Sequence, residues 1–144
     1  MTEGTSAAVG IVVVSHSGAL ADATVRLVAR LANLPVDGPL LVAAGGLEDG
    51  SIGTDATRIA DAIVAADAGA GVVVLADLGS AVLATATAIE ELLEPDHAGR
   101  VRISRGPLVE GTFVAAVQAS AGDAIDGVLA AADDAATMNK LEGR

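Results

Sequence analysis

One imidazole, one carboxylate and several hydroxyls stand where apolar runs give way to helical patterns. Ser15-His16-Ser17-Gly18 follows the run Val9 to Val14, and Asp77-Leu78-Gly79-Ser80 follows the run Gly71 to Ala76. A third stretch, Gly45 to Asp55, contains Gly46 and Thr54 and follows Leu40 to Ala44. A neutral imidazole attacks phosphorus through one ring nitrogen. A carboxylate on the other N–H fixes the tautomer and stabilises the cation that develops. His16 is the only histidine in these loops, and Asp77 is the carboxylate placed to serve it. Phosphoryl transfer asks a protein mainly for in-line positioning and for donors around the equatorial oxygens. Ser17, Gly46, Thr54, Gly79 and Ser80 are the candidate phosphate-binding residues. Two plainer readings stay open: His16 as a strand-end surface residue, and Asp77 as the N-cap of the next helix. His97, in the turn-like stretch Glu94 to Gly99, is expected to be a surface loop residue.

The elements that must hold these residues follow from apolar periodicity. Continuous apolar runs at Val9–Val14, Leu40–Ala44 and Gly71–Ala76 suit strands of a parallel sheet buried on both faces. Val101 to Ser104 alternates and reads as a shorter strand nearer an edge. Helical spacing spans Ser17–Leu31, with Leu20, Thr24, Leu27, Val28 and Leu31 as the expected inner stripe. It recurs over Thr54–Ala66 and over Ser80–Leu93, where Leu83, Ala86, Ile89, Leu92 and Leu93 form the stripe. A last helical stretch, Glu110–Ala132, is interrupted near Gly122. The order β-α-β-α-β-α-β-α predicts an α/β single domain. Its central, mainly parallel sheet has at least four strands, with helices on both faces. Ligands of such sheets bind beyond the carboxyl ends of the strands, so the three loops should converge. Residues 1–8 are expected to be disordered, 9–132 to form the domain, and 133–144 to be a polar tail.

Composition removes several function classes. The chain has 144 residues and a formal charge of −11, from 19 acidic and 8 basic residues, which opposes binding to nucleic acid or to an anionic membrane. Arg100, Arg102 and Arg105 form the only basic cluster and read as a solvated strand edge. Phe113 is the single aromatic residue, so no platform exists for stacking bases or sugars. Cysteine is absent and the two histidines are far apart in sequence, so the sequence offers no metal site. No P-loop, dinucleotide fingerprint or nucleophile elbow occurs. The first ten residues do not read as a signal peptide. Runs without a polar residue, such as the nine residues Ala68–Ala76, fall far short of the ~20 of a membrane span. The expected location is cytoplasmic.

Val12-Val13-Val14-Ser15-His16-Ser17 followed by Leu20-Ala21 resembles the active-histidine segment of the mannose-type IIA domains of the bacterial phosphotransferase system. Ala43-Ala44-Gly45-Gly46, Asp49 to Thr54, Asp77 to Ser80 and Pro107-Leu108-Val109-Glu110-Gly111 resemble, more narrowly, the phosphotransfer subunits of phosphotransferase-system-dependent dihydroxyacetone kinases. Sugar-transport IIA domains usually carry an extra glycine and a proline around the third segment, and this chain has neither. The resemblance implies that the phosphocarrier HPr phosphorylates His16, with Asp77 supporting it. The phosphoryl group would then pass to ADP on the nucleotide-binding subunit of the kinase, so ADP, ATP and magnesium belong to that partner and no cofactor is bound directly. It further implies a homodimer, and HPr and enzyme I as separate proteins. Two alternatives remain: the IIA component of a sugar-uptake system, and a non-catalytic anion-binding regulatory module.

Overall fold

The computed structural model of the chain describes residues 7–143. Four strands form one parallel sheet: β1 (Gly10–Ser15), β2 (Leu41–Gly45), β3 (Val72–Ala76) and β4 (Val101–Ile103). Their order is β2-β1-β3-β4, so the short β4 is an edge strand, as its alternating sequence predicts. The helices are α1 (Gly18–Leu31), α2 (Ala56–Ala66), α3 (Gly79–Thr87), α4 (Pro95–Ala98), α5 (Leu108–Ser120) and α6 (Ile125–Asp134). A π-turn, Ala88–Leu92, extends α3.

Alternate residues of the inner strands feed two separate cores, which is why their sequences are apolar without a break. Val12, Val14, Val72 and Val74 pack on one face against Ile59 and Ile63 of α2 and Ala81 of α3. Val9, Ile11, Val73 and Leu75 pack on the other against Val28 of α1, Ala115 of α5 and Val128 of α6. Full burial of a side chain such as Ile59 or Ile63 contributes about 1.5–3 kcal/mol.

The expected inner stripes of two helices are met only in part: Thr24 and Val28 are buried and Ile89 and Leu93 pack on the core, but the other leucines do not. In α1 the buried residues are Ala21, Thr24 and Val28, whereas Leu20, Leu27 and Leu31 are exposed. In α3 and its extension Ala81, Thr85 and Ala88 face the sheet, and Leu83 and Leu92 point outward. Small residues let the helix axis approach the sheet closely, and Thr24 and Thr85 satisfy their hydroxyls on the carbonyls of Leu20 and Ala81. Spacing alone favoured the larger side chains, and backbone proximity favoured the smaller ones.

Order continues past the expected boundary at residue 132. Helix α6 runs to Asp134, the turn Ala135–Thr137 buries Ala135, and Lys140 Nζ lies 2.7 Å from Glu110 Oε2. At the start, residues 1–6 of the expected disordered segment lie outside the described residues, and Ala7 and Ala8 have no regular structure.

His97 is not a free loop residue. It sits in α4, and its Nδ1 is 2.8 Å from Oδ2 of Asp67, the residue that ends α2. Asp67 has a fully buried side chain and also meets Arg100 Nη2 at 3.1 Å and the Gly69 amide at 2.9 Å. This cluster ties the amino-terminal edge of the sheet. Burial alone would push the Asp67 carboxyl up, but the bonds from His97, Gly69 and Arg100 outweigh it and hold the group below the usual carboxylate range. Asp67→Asn should cost on the order of 2–3 kcal/mol of stability at neutral pH, because two cationic or donor groups lose a buried acceptor. A depressed folded value means that this stability is fully present above the unfolded value of about 4 and is lost as the pH falls through the folded one. Urea unfolding at pH 7 and at successively lower pH should therefore show the parent and the variant converging in acid. A constant difference would locate the effect in packing.

Candidate functional site

The strand order reverses at β1. The chain leaves β1 toward α1 on one face, and leaves β3, its neighbour, toward α3 on the other. Such a divergence opens a crevice above the carboxyl ends of the two strands. Residues 15–18 and 77–80 meet there.

His16 Nδ1 lies 2.9 Å from Asp77 Oδ1, and the two side chains are 22% and 13% exposed. The carboxylate is saturated. Oδ1 also accepts from the Leu78 amide at 2.8 Å, while Oδ2 accepts from the Ser15 hydroxyl at 2.8 Å and from the His16 amide at 3.0 Å. Two donors on each oxygen fill the roughly four lone-pair sites of an ionised carboxylate. Asp77 is therefore an acceptor throughout, and His16 must donate from Nδ1. Burial by itself would raise the Asp77 carboxyl, but the His16 amide, the His16 ring and Ser15 together hold it below the usual range. Asp77 is not the N-cap of α3: Leu78 holds that position, and the cap carries no side-chain bond.

With Nδ1 protonated, the lone pair is on Nε2, which meets the Ser80 hydroxyl at 2.5 Å. Ser80 is in the first turn of α3. The amides of Gly79 and Ser80, and those of Gly18 and Ala19 in the first turn of α1, have no intramolecular acceptor among the described residues. Two helix N-termini thus bring free donors and positive dipole ends to the crevice.

The remaining candidates fall into place unevenly. Ser17 caps α1, its hydroxyl accepting from the Leu20 amide at 3.1 Å. Thr54 lies in the irregular stretch before α2, next to Gly53, whose amide donates to the His16 carbonyl at 2.9 Å. Gly46 does not offer its N–H, which bonds to the Ser15 carbonyl at 3.1 Å. Its φ of +69° and the Gly18 amide 3.1 Å from a would-be Cβ show why glycine is needed: the second loop folds tightly onto the first. Gly45 makes the same approach, since a Cβ there would stand 2.5 Å from the Ser17 carbonyl oxygen. An open cleft of ≈ 470 Å³ runs from this junction between Ser17, Gly18, Leu47, Ile52 and Arg58.

Ser15 matches no motif for a chemical role, yet its side chain is fully buried and it bonds both Asp77 and the Ser17 amide. The available signal was a hydroxyl closing an otherwise apolar strand. Among the described residues no group of three potential metal ligands occurs, and no helix is long and apolar enough to cross a membrane.

The profile of the EIIA-man family, described as the fructose IIA component of the phosphotransferase system, matches residues 10–129. The chain belongs to that family. The match spans every strand and both halves of the crevice. Among individual relatives, the phosphoryl donor subunit DhaM of the phosphoenolpyruvate-dependent dihydroxyacetone kinase of Escherichia coli is 40% identical over 113 residues, which is 77% of this chain but 23% of that protein. The chain thus spans less than a quarter of that relative's length. The DhaM of dihydroxyacetone kinase 2 of Listeria innocua is 35% identical over 111 residues, covering 77% of this chain and 86% of the relative. A crystal structure of a protein of unknown function, EF1359, superposes with a TM-score of 0.75 at 33% identity, over 88% of this chain and 94% of the other.

Proposed function

We propose that the chain is a phosphohistidine carrier, accepting a phosphoryl group on His16 Nε2 from phosphorylated HPr. We propose further that it passes the group to ADP held on the nucleotide-binding subunit of a dihydroxyacetone kinase. The observation that carries this is the orientation of His16: one nitrogen is committed to a saturated carboxylate, and the other is turned toward Ser80 between two helix N-termini. The names of the similar DhaM subunits supply the system, and the site supplies the chemistry.

In the first step the Nε2 lone pair attacks phosphorus in line. The P–N bond of the donor phosphohistidine breaks, and its electron pair returns to the donor ring. The Nδ1 proton stays on His16, so the phosphorylated ring carries cationic character that Asp77 balances. Ser80 must leave Nε2 for phosphorus to enter, and its hydroxyl then serves a phosphoryl oxygen. Ser17, Thr54 and the free amides at Gly18, Ala19, Gly79 and Ser80 are further donors for the equatorial oxygens. In the second step the Nε2–P bond breaks, and an oxygen of the bound ADP takes the group. No nucleotide-cradling motif is recognisable in the chain, so the partner subunit holds ADP, ATP and magnesium and this chain binds no cofactor itself. A homodimer belongs to the same proposal, supported by the leucines that α1 and α3 leave outside the core.

The test is incubation with phosphoenolpyruvate, enzyme I and HPr, followed by intact-protein mass spectrometry at alkaline pH, where phosphohistidine survives. One acid-labile phosphoryl group is expected. No incorporation would leave the anion-binding module as the better reading. The phosphorylated chain, offered ADP with and without the kinase's nucleotide-binding subunit, should form ATP only with the subunit. Preferential discharge to a sugar-transport component would favour the sugar-uptake reading, which the fructose IIA description of the family keeps in view.

A further inference from the structure

Ser15 closes β1 and takes part in no chemistry, yet its hydroxyl both donates and accepts within the site. The O–H donates to Asp77 Oδ2 at 2.8 Å, and the oxygen accepts from the Ser17 amide at 3.0 Å. The His16 amide reaches the same Oδ2 at 3.0 Å. One oxygen of Asp77 is thereby held by the backbone of the His16 loop, and the other is left facing the ring.

The same device occurs a second time. Ser104, directly after β4, donates its hydroxyl to Asp133 Oδ1 at 2.7 Å, and the Arg105 amide reaches that oxygen at 2.9 Å. The Gly106 amide donates to Ser104 Oγ at 2.9 Å. The other oxygen of Asp133, Oδ2, faces the Arg105 side chain at 3.4 Å. In both places a strand-end serine and the next amide clamp one carboxylate oxygen, and the carboxylate presents its second oxygen to the side chain between them. The first copy holds a histidine there and the second an arginine. Arginine has no tautomer to choose, so in the second copy the arrangement only ties α6 to the sheet edge.

The terminal torsion of an aspartate is soft, and a carboxylate held by one donor on an oxygen can swing about it. Two donors on Oδ2 fix the plane and so aim an Oδ1 lone pair at Nδ1. From this we infer that Ser15 is a positioning residue, which through Asp77 keeps His16 in the Nδ1–H tautomer and so leaves the Nε2 lone pair available. The inference rests on the reading of His16 as the phosphoryl carrier, but its first consequence, the tautomer, is observable without any phosphate.

The test compares the full chain with Ser15→Ala and Ser104→Ala, which each lose the same pair of hydroxyl bonds. Nitrogen-15 spectra of labelled histidine at neutral pH should show His16 with Nδ1 protonated in the parent and in Ser104→Ala. In Ser15→Ala they should show a mixture with the Nε2–H form. The rate of His16 phosphorylation from phosphorylated HPr should fall about tenfold in Ser15→Ala only, the scale of one hydrogen bond to a charged group. A parent-like tautomer in Ser15→Ala, or the same change in Ser104→Ala, overturns the assignment. Should Ser15→Ala not fold, Ser15→Cys decides, because a thiol of similar size is a weak donor. A mixed tautomer there supports the role, and a parent-like tautomer and rate refute it. A parent that takes no phosphate sinks the carrier function instead, while the tautomer still decides Ser15.

Discussion

A chain carrying His16→Ala is expected to take up no phosphoryl group from phosphorylated HPr, while His97→Gln should take up as much as the parent. The contrast between the two histidines is structural. Both donate from Nδ1 to a carboxylate, at 2.9 Å in His16 and 2.8 Å in His97. What differs is the far side of the ring and the place in the sheet. His16 turns Nε2 toward Ser80 and two free helix N-termini at the carboxyl edge, and His97 lies at the amino edge, tied with Arg100 to a buried aspartate. The histidine–carboxylate pair alone therefore does not distinguish the two. The loss in His16→Ala should be complete, because among the described residues no other side chain at the crevice offers a nitrogen nucleophile. The fold should survive, since the His16 amide keeps its bond to Asp77 and the vacated Oδ1 keeps the Leu78 amide. Intact-protein mass spectrometry at alkaline pH reads the uptake, and circular dichroism reads the fold. Stable phosphate on folded His16→Ala would place the chemistry elsewhere.

The strands, their parallel direction and the convergence of three loops were legible because apolar runs and helix starts are local properties. The His16–Asp77 pair followed from those two loops alone, as their strands are neighbours. Three features were not legible, each for a physical reason. The inner faces of α1 and α3 depend on how closely a helix approaches the sheet, and that distance selects Ala21 and Ala81 over the leucines beside them. The engagement of His97 depends on Asp67, 30 residues away, where neither loop carries a signal of its partner. The availability of a backbone N–H depends on turn geometry, so Gly46 read as a donor although its amide closes onto Ser15. Side-chain types indicated which chemistry was possible, and the competition for backbone hydrogen bonds decided which residues remain free to take part in it.

Asp77→Asn should slow phosphorylation of His16 by about 30-fold to several hundred-fold, the equivalent of on the order of 2–4 kcal/mol of lost electrostatic stabilisation. The substitution keeps the shape of the side chain but replaces one acceptor oxygen by a donor. All four groups around Asp77 donate, and two of them are backbone amides that cannot reverse: His16 N–H faces Oδ2, and Leu78 N–H faces Oδ1. Whichever way the asparagine amide turns, its NH2 opposes a backbone N–H. Turned toward Leu78, it also faces Nδ1, and the ring can accept there only by moving its proton to Nε2, which removes the nucleophile. Turned toward Ser15, it leaves the amide oxygen for Nδ1–H but without the charge that balances the phosphorylated ring. Both arrangements reduce the rate, and both leave a donor unmatched, so stability should also fall by about 1–3 kcal/mol. The first predicts a shift to the Nε2–H tautomer in nitrogen-15 spectra, and the second predicts the parent tautomer with a slow rate. Quenched-flow phosphorylation and urea unfolding measure the two losses. A variant that reacts at the parent rate would show that the charge of Asp77 plays no part in transfer.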